Sequence, residues 1–159
     1  AQIVVPDKGA EGVIVHQGGR FGGWSFYAKD GKLTFCYNCY GWKMFIIRAD
    51  APLPAGNHQV RMEFQYDGGG LAKGGNVTLL VDGKKAGEGR LEMTVPMAFS
   101  ADETLDVGKD TGTAVSSEYT VEDSQFNGKV LGVQLDAGKS DSDRYMTAED
   151  RLRIAMARQ

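Results

Sequence analysis

Two cysteines, two histidines and a cluster of carboxylates are the residues of this chain whose types and spacing could do chemistry. Cys36-Tyr37-Asn38-Cys39 has the spacing of a redox pair or of half a metal clip on a turn. A cysteine nucleophile needs a base within hydrogen-bond reach, and His16 and His58 are the only two histidines. Asp102, Glu103, Asp106 and Asp110 crowd into one turn-rich stretch. Hard cations such as calcium take several carboxylate and carbonyl oxygens, so these four are the candidate metal ligands. Their spacing is not that of an EF-hand loop. Tyr27 and Trp42 are the aromatics expected to be exposed, and so the candidate sugar-stacking residues. Each set also has a structural reading: separate half-buried thiols, strand-end histidines, solvated carboxylates, and aromatics in the core or a subunit contact.

Strands must position all of these groups. Asp30-Gly31 separates two alternating runs, the strongest short-range signal for a two-residue hairpin turn. With Asp30 and Gly31 as the loop, Lys29 faces Lys32, Ala28 faces Leu33, Phe26 faces Phe35 and Trp24 faces Tyr37. Trp24, Phe26, Ala28, Leu33, Phe35 and Tyr37 then share an apolar face. Ser25, Tyr27, Lys29, Lys32, Thr34 and Cys36 share the other. Continuing the strand sends Cys39 to the face opposite Cys36.

Asp82-Gly83-Lys84 repeats the turn signal and would place Leu79 across from Ala86. Val60, Met62, Phe64 and Tyr66 alternate with polar residues, as in a half-buried strand. Further strands are expected at 3–5, 12–16, 43–48, 77–81, 91–95 and 129–136, the last burying Leu131, Val133 and Leu135. Gln17 to Gly23 is glycine-rich, but no helix follows it, so it lacks the form of a phosphate cradle. Residues 139–144 read as a polar linker. Thr147 and Asp150 then open a short helix over 148–158. Close strand spacing without interleaved helices predicts an all-β, antiparallel two-sheet sandwich over 1–138, with the linker and helix over 139–159.

The 159 residues suit one domain with a real core. A formal net charge of −3 provides no basic surface for nucleic acid. No run of about 20 apolar residues predicts a membrane span. Two cysteines are too few for a disulfide scaffold. The chain opens on Ala1, as a processed or partial chain does. It would be periplasmic or secreted if processed there, and cytoplasmic otherwise.

Four stretches resemble the C-terminal region of bacterial arylsulfatases. They are Gln17-Gly18-Gly19-Arg20-Phe21-Gly22-Gly23-Trp24-Ser25, Asp67 to Gly75, Val77 to Lys84, and Phe99 to Gly108. The resemblance covers about residues 10 to 136. It implies the β-sandwich that closes those enzymes, similar to laminin-G and concanavalin-like jelly rolls, and makes loop-bound calcium plausible. The sulfatase motif Cys/Ser-x-Pro-x-Arg, whose first residue becomes formylglycine, does not occur here, so no catalytic residue carries over.

The resemblance therefore implies a non-catalytic accessory module. It would pack against a sulfatase-type catalytic domain, or against itself as a homo-oligomer, through the surface around Trp42 to Ile47 and the terminal helix. The alternatives are a small hydrolase of sulfate or phosphate esters, using Cys36 or Cys39 with His16 or His58 or a loop-bound metal, and a lectin-like carbohydrate binder.

Overall fold

The computed structural model describes residues 1–96, 99 and 104–137. The expected linker and helix, and the candidate ligands Asp102 and Glu103, lie outside the described residues. Ten strands form: β1 Gln2–Val5, β2 Gly12–Gly19, β3 Gly22–Lys29, β4 Lys32–Cys39, β5 Lys43–Arg48, β6 Gly56–Tyr66, β7 Gly75–Val81, β8 Lys84–Leu91, β9 Leu105–Val107 and β10 Lys129–Gly132. They build two five-stranded antiparallel sheets, ordered β10-β1-β6-β7-β8 and β5-β4-β3-β2-β9. The fold is an all-β sandwich. Among the described residues no helix is long and apolar enough to cross a membrane.

The Asp-Gly signals act as expected. Asp30 and Gly31 have φ of 51° and 75°, and Asp82 and Gly83 have 50° and 75°. Two successive positive φ values make the turn that matches strand twist. The β3–β4 register is the one predicted, with Lys29 opposite Lys32, Phe26 opposite Phe35 and Trp24 opposite Tyr37. Phe26, Ala28, Leu33, Phe35 and Tyr37 are buried in the core between the sheets, and Trp24 packs against its edge. Ile3, Ile14, Val60, Val77 and Leu79 meet them there, from strands whose alternation points the same way. Each such buried side chain contributes about 1.5–3 kcal/mol.

Three local expectations are corrected. Leu131 and Leu135 are exposed, at 64% and 54%, whereas Val130 and Val133 pack on the core. Val130 sits opposite Ile3 on β1 and shares its inward face, so Leu131 must point away. Leu79 pairs with Gly87, because Ala86 is an extra residue in a β-bulge. The bulge frees Ala86 O to accept Asp50 N at 2.8 Å. Finally, residues 92–95 leave the ladder. Thr94 Oγ1 donates to Lys73 O, and Val95 N donates to Tyr37 Oη, so these groups are satisfied outside any strand.

Candidate functional site

The second face of β2, β3 and β4 carries polar residues, yet it is buried. His16, Ser25, Tyr27, Thr34, Cys36 and Asn38 are all shielded. Much of the cover is the irregular segment 108–127. It adheres by backbone bonds: Gly108 N to Ile14 O, Val13 N to Ser124 O, and Asn127 N to Glu11 O, at 2.7–2.9 Å. The segment has few large apolar side chains, so it is held largely by polar anchors. Val13, Tyr27 and Cys36 form a small apolar cluster beneath it, with Tyr119 packed on them.

His16 is the centre of this layer. Its Nδ1 lies 3.2 Å from Gly18 O. Its Nε2 lies 3.2 Å from Asp106 Oδ2 and 3.7 Å from Asp110 Oδ1. Every neighbour is an acceptor, so a ring N–H donates to one of them whichever nitrogen carries it. Asp110 is fully buried, and its Oδ1, which makes no hydrogen bond, faces His16 Nε2. Its Oδ2 accepts from Tyr119 Oη at 2.9 Å and from Val115 N at 3.3 Å. Asp106 Oδ2 also accepts from Thr111 N and Oγ1. Burial pushes the Asp106 carboxyl up, but these bonds and those of Thr104 and His16 outweigh it and hold the group below the usual carboxylate range.

A second polar knot lies beside the first. Tyr27 Oη donates to Glu118 Oε2 at 2.5 Å and meets Ser116 Oγ at 3.1 Å. Arg48 also bonds Glu118. Burial opposes ionisation of Glu118, but the bonds from Arg48 and Tyr27 keep it below its ordinary value. Tyr27 and Tyr119 pack edge to face with centroids 5.3 Å apart, and burial raises both phenols. Tyr27, Lys29, Glu11, Glu118, Tyr119 and Asp123 contribute to an open cleft of about 450 Å³.

The structure separates most of the residues singled out by type. Cys36 and Cys39 are both buried free thiols, on opposite faces of β4 as the alternation predicts. Burial pushes the Cys36 thiol up to about 12, which leaves almost no thiolate near neutrality. His16 and Cys36 share a face but lie two strands apart with Ser25 between them, about 10 Å at normal strand spacing. His16 is neither at the surface nor at a strand end, which corrects its structural reading. His58 is on the other sheet, with Nδ1 2.7 Å from Asp82 Oδ2.

Asp106 and Asp110 both turn inward to His16. Among the described residues no three His, Cys, Asp or Glu side chains gather as a metal ion would need. Tyr27, expected at the surface, is only 1% exposed, whereas Trp42 is 76% exposed as expected. The inward role of Asp110 was invisible to periodicity, because it lies on an irregular segment. Its one sequence signal was an unusual density of Ser, Thr and Asp around a lone Tyr.

Among the described residues one flank of the sandwich is open. There β9 and β10 are the outermost strands of their sheets, and a Cβ built on Gly108 would lie 4.0 Å from Val130 Cγ2, which brings the end of β9 next to β10. Leu105, Val107, Leu131 and Leu135, on or next to these strands, are exposed. At the opposite flank β5 and β8 press together. A Cβ on Gly87 would lie 2.7 Å from Arg48 O, and one on Gly89 would lie 2.5 Å from Ile47 Cγ1.

No family model matches the chain, and no curated protein is similar to it in sequence. Among solved structures, the chain is similar to the native heptameric SAP-like pentraxin from Limulus polyphemus, with 17% identity and a TM-score of 0.47. The match covers 80% of this chain and 57% of that one, so the chain spans little more than half the length of that pentraxin.

Proposed function

We propose that this chain is a non-catalytic accessory β-sandwich, of the kind that closes bacterial arylsulfatases, and that it docks on a catalytic domain through the β9–β10 flank. One observation carries the reading: the chemically capable groups on the second face of the β2–β4 sheet are engaged in holding the fold. Cys36 is a buried neutral thiol, and His16 is enclosed by Gly18, Asp106 and Asp110. Glu118 anchors the covering segment to Tyr27, and Asp110 ties that segment together through Val115 and Tyr119 while facing His16.

The docking surface is argued from the free edges. Two strand edges that no described residue pairs, with four exposed aliphatic side chains, form a patch that a lone soluble domain usually blunts. The four arylsulfatase-like stretches support the same reading. They fall on β2–β3, on the β6–β7 connection, on the β7–β8 hairpin and on the approach to β9.

The test is direct. The purified chain is offered aryl sulfate and aryl phosphate esters, and the expected result is no turnover. Turnover that Cys36→Ala or His16→Ala abolishes, in a variant that still folds, overturns the reading and favours a small hydrolase. The flank is tested separately with Val107→Asp and Leu131→Asp. Both should leave the melting temperature nearly unchanged and weaken binding to an arylsulfatase catalytic domain by tenfold or more.

A further inference from the structure

The end of the sandwich that carries the β2–β3 and β4–β5 turns holds three exposed aromatic rings. Phe21 is 68% exposed, Tyr40 46% and Trp42 76%. The two turns are fastened to one another. Asn38, fully buried, donates from Nδ2 to Gly19 O and Arg20 O and accepts from Gly41 N at 2.7 Å. A Cβ on Gly41 would lie 3.0 Å from Arg20 O, and one on Gly22 would lie 3.7 Å from Tyr40 Cδ1. The rings are thus side chains of a rigid, doubly braced tip.

A second observation points to a ligand. Tyr40 and Gly41 have φ of 57° and 70°, so Tyr40 occupies a left-handed turn position that the Asp-Gly hairpins fill with Asp30 and Asp82. A bulky aromatic is disfavoured there, and such strain concentrates at functional sites.

We infer that Phe21, Tyr40 and Trp42 form a saccharide-binding platform for a pyranose ring carrying an anionic substituent. The C–H face of the sugar stacks on the rings, and its polar edge meets the rim. Arg20, at the same tip, has no ion pair among the described residues and supplies the cation for the substituent. With roughly 150–250 Å² per aromatic side chain, the three rings leave about 400 Å² open. That is about half of the 800 Å² or so that each partner gives to a stable protein interface, and it is ample for one or two sugar rings. This site is separate from the docking flank and does not rest on the accessory reading.

The experiment titrates the intact chain with oligogalacturonate and cello-oligosaccharide, following Trp42 fluorescence in a Trp24→Phe background, and screens a pyranoside array. Binding of the anionic sugar is expected, with at least tenfold loss in Trp42→Ala and several-fold loss in Phe21→Ala. Arg20→Gln should erase the preference over the neutral sugar. Tyr40→Asn should raise the melting temperature while weakening binding, opposite signs that a purely structural tyrosine would not produce. Any of three outcomes overturns the inference. They are no pyranoside bound at millimolar concentration, binding indifferent to Trp42→Ala and Phe21→Ala, or a self-dimer in sedimentation that Trp42→Ala dissolves.

Discussion

Tyr119→Phe removes one hydroxyl from the underside of the covering segment and leaves the ring in place. The edge-to-face packing on Tyr27 survives, so the loss is polar alone. The hydroxyl bonds the buried Asp110 carboxylate at 2.9 Å and Ser25 Oγ at 3.0 Å. A hydrogen bond to a charged group is worth about 1.5–3 kcal/mol, and its loss leaves a buried acceptor short of a partner. The expected cost is therefore about 2 kcal/mol, or about 4–8 °C in melting temperature for a domain of this size.

The variant also has a local readout. Cys36 lies under the segment, so opening of residues 108–127 exposes its thiol. In a Cys39→Ala background, labelling of Cys36 by a disulfide reagent should quicken by about 30-fold, the population change that about 2 kcal/mol produces. Urea unfolding gives the global number and thiol labelling the local one. A cost below about 0.5 kcal/mol, typical of plain surface changes, with unaltered labelling would refute the idea that polar anchors hold the cover.

Three further outcomes are expected. Leu79→Ala, at a fully buried core position, should cost about 2–5 kcal/mol in urea unfolding. Asp106 and Glu118 have folded-state ionisation below the ordinary carboxylate range, so their contribution is complete above the unfolded values near pH 4 and is lost as pH falls through the lower folded values. The contribution of these two groups should thus be constant from pH 5 upward and be lost below pH 4, and Asp106→Asn with Glu118→Gln should flatten the acid fall in titrations. Gly87→Val should lower the melting temperature, since its side chain would meet Arg48 O across the β5–β8 contact.

The β3–β4 hairpin was legible residue by residue, because an Asp-Gly turn sets the pairing and period-two alternation sets the faces. The same alternation says nothing about what covers a face. Tyr27 therefore read as exposed, although a later irregular segment lies over it. That segment is acidic and turn-rich, which reads as solvated carboxylates or a cation site and gives no sign of a cover. Only the backbone path brings Asp110 to His16, 94 positions away in the chain by subtraction. Leu131 failed for a related reason. Four residues of strand are too few for periodicity to choose the phase, and pairing with Ile3 chose it. The exposed tip was half legible: Trp42 stood out by type, whereas Phe21 joined it only through the bracing by Asn38.

The glycines of β8 have an architectural effect beyond packing. By letting one pair of sheet borders close backbone to backbone, they seal that side of the sandwich from within the chain, so a side chain added at either position would prise the two sheets apart and not merely roughen a surface.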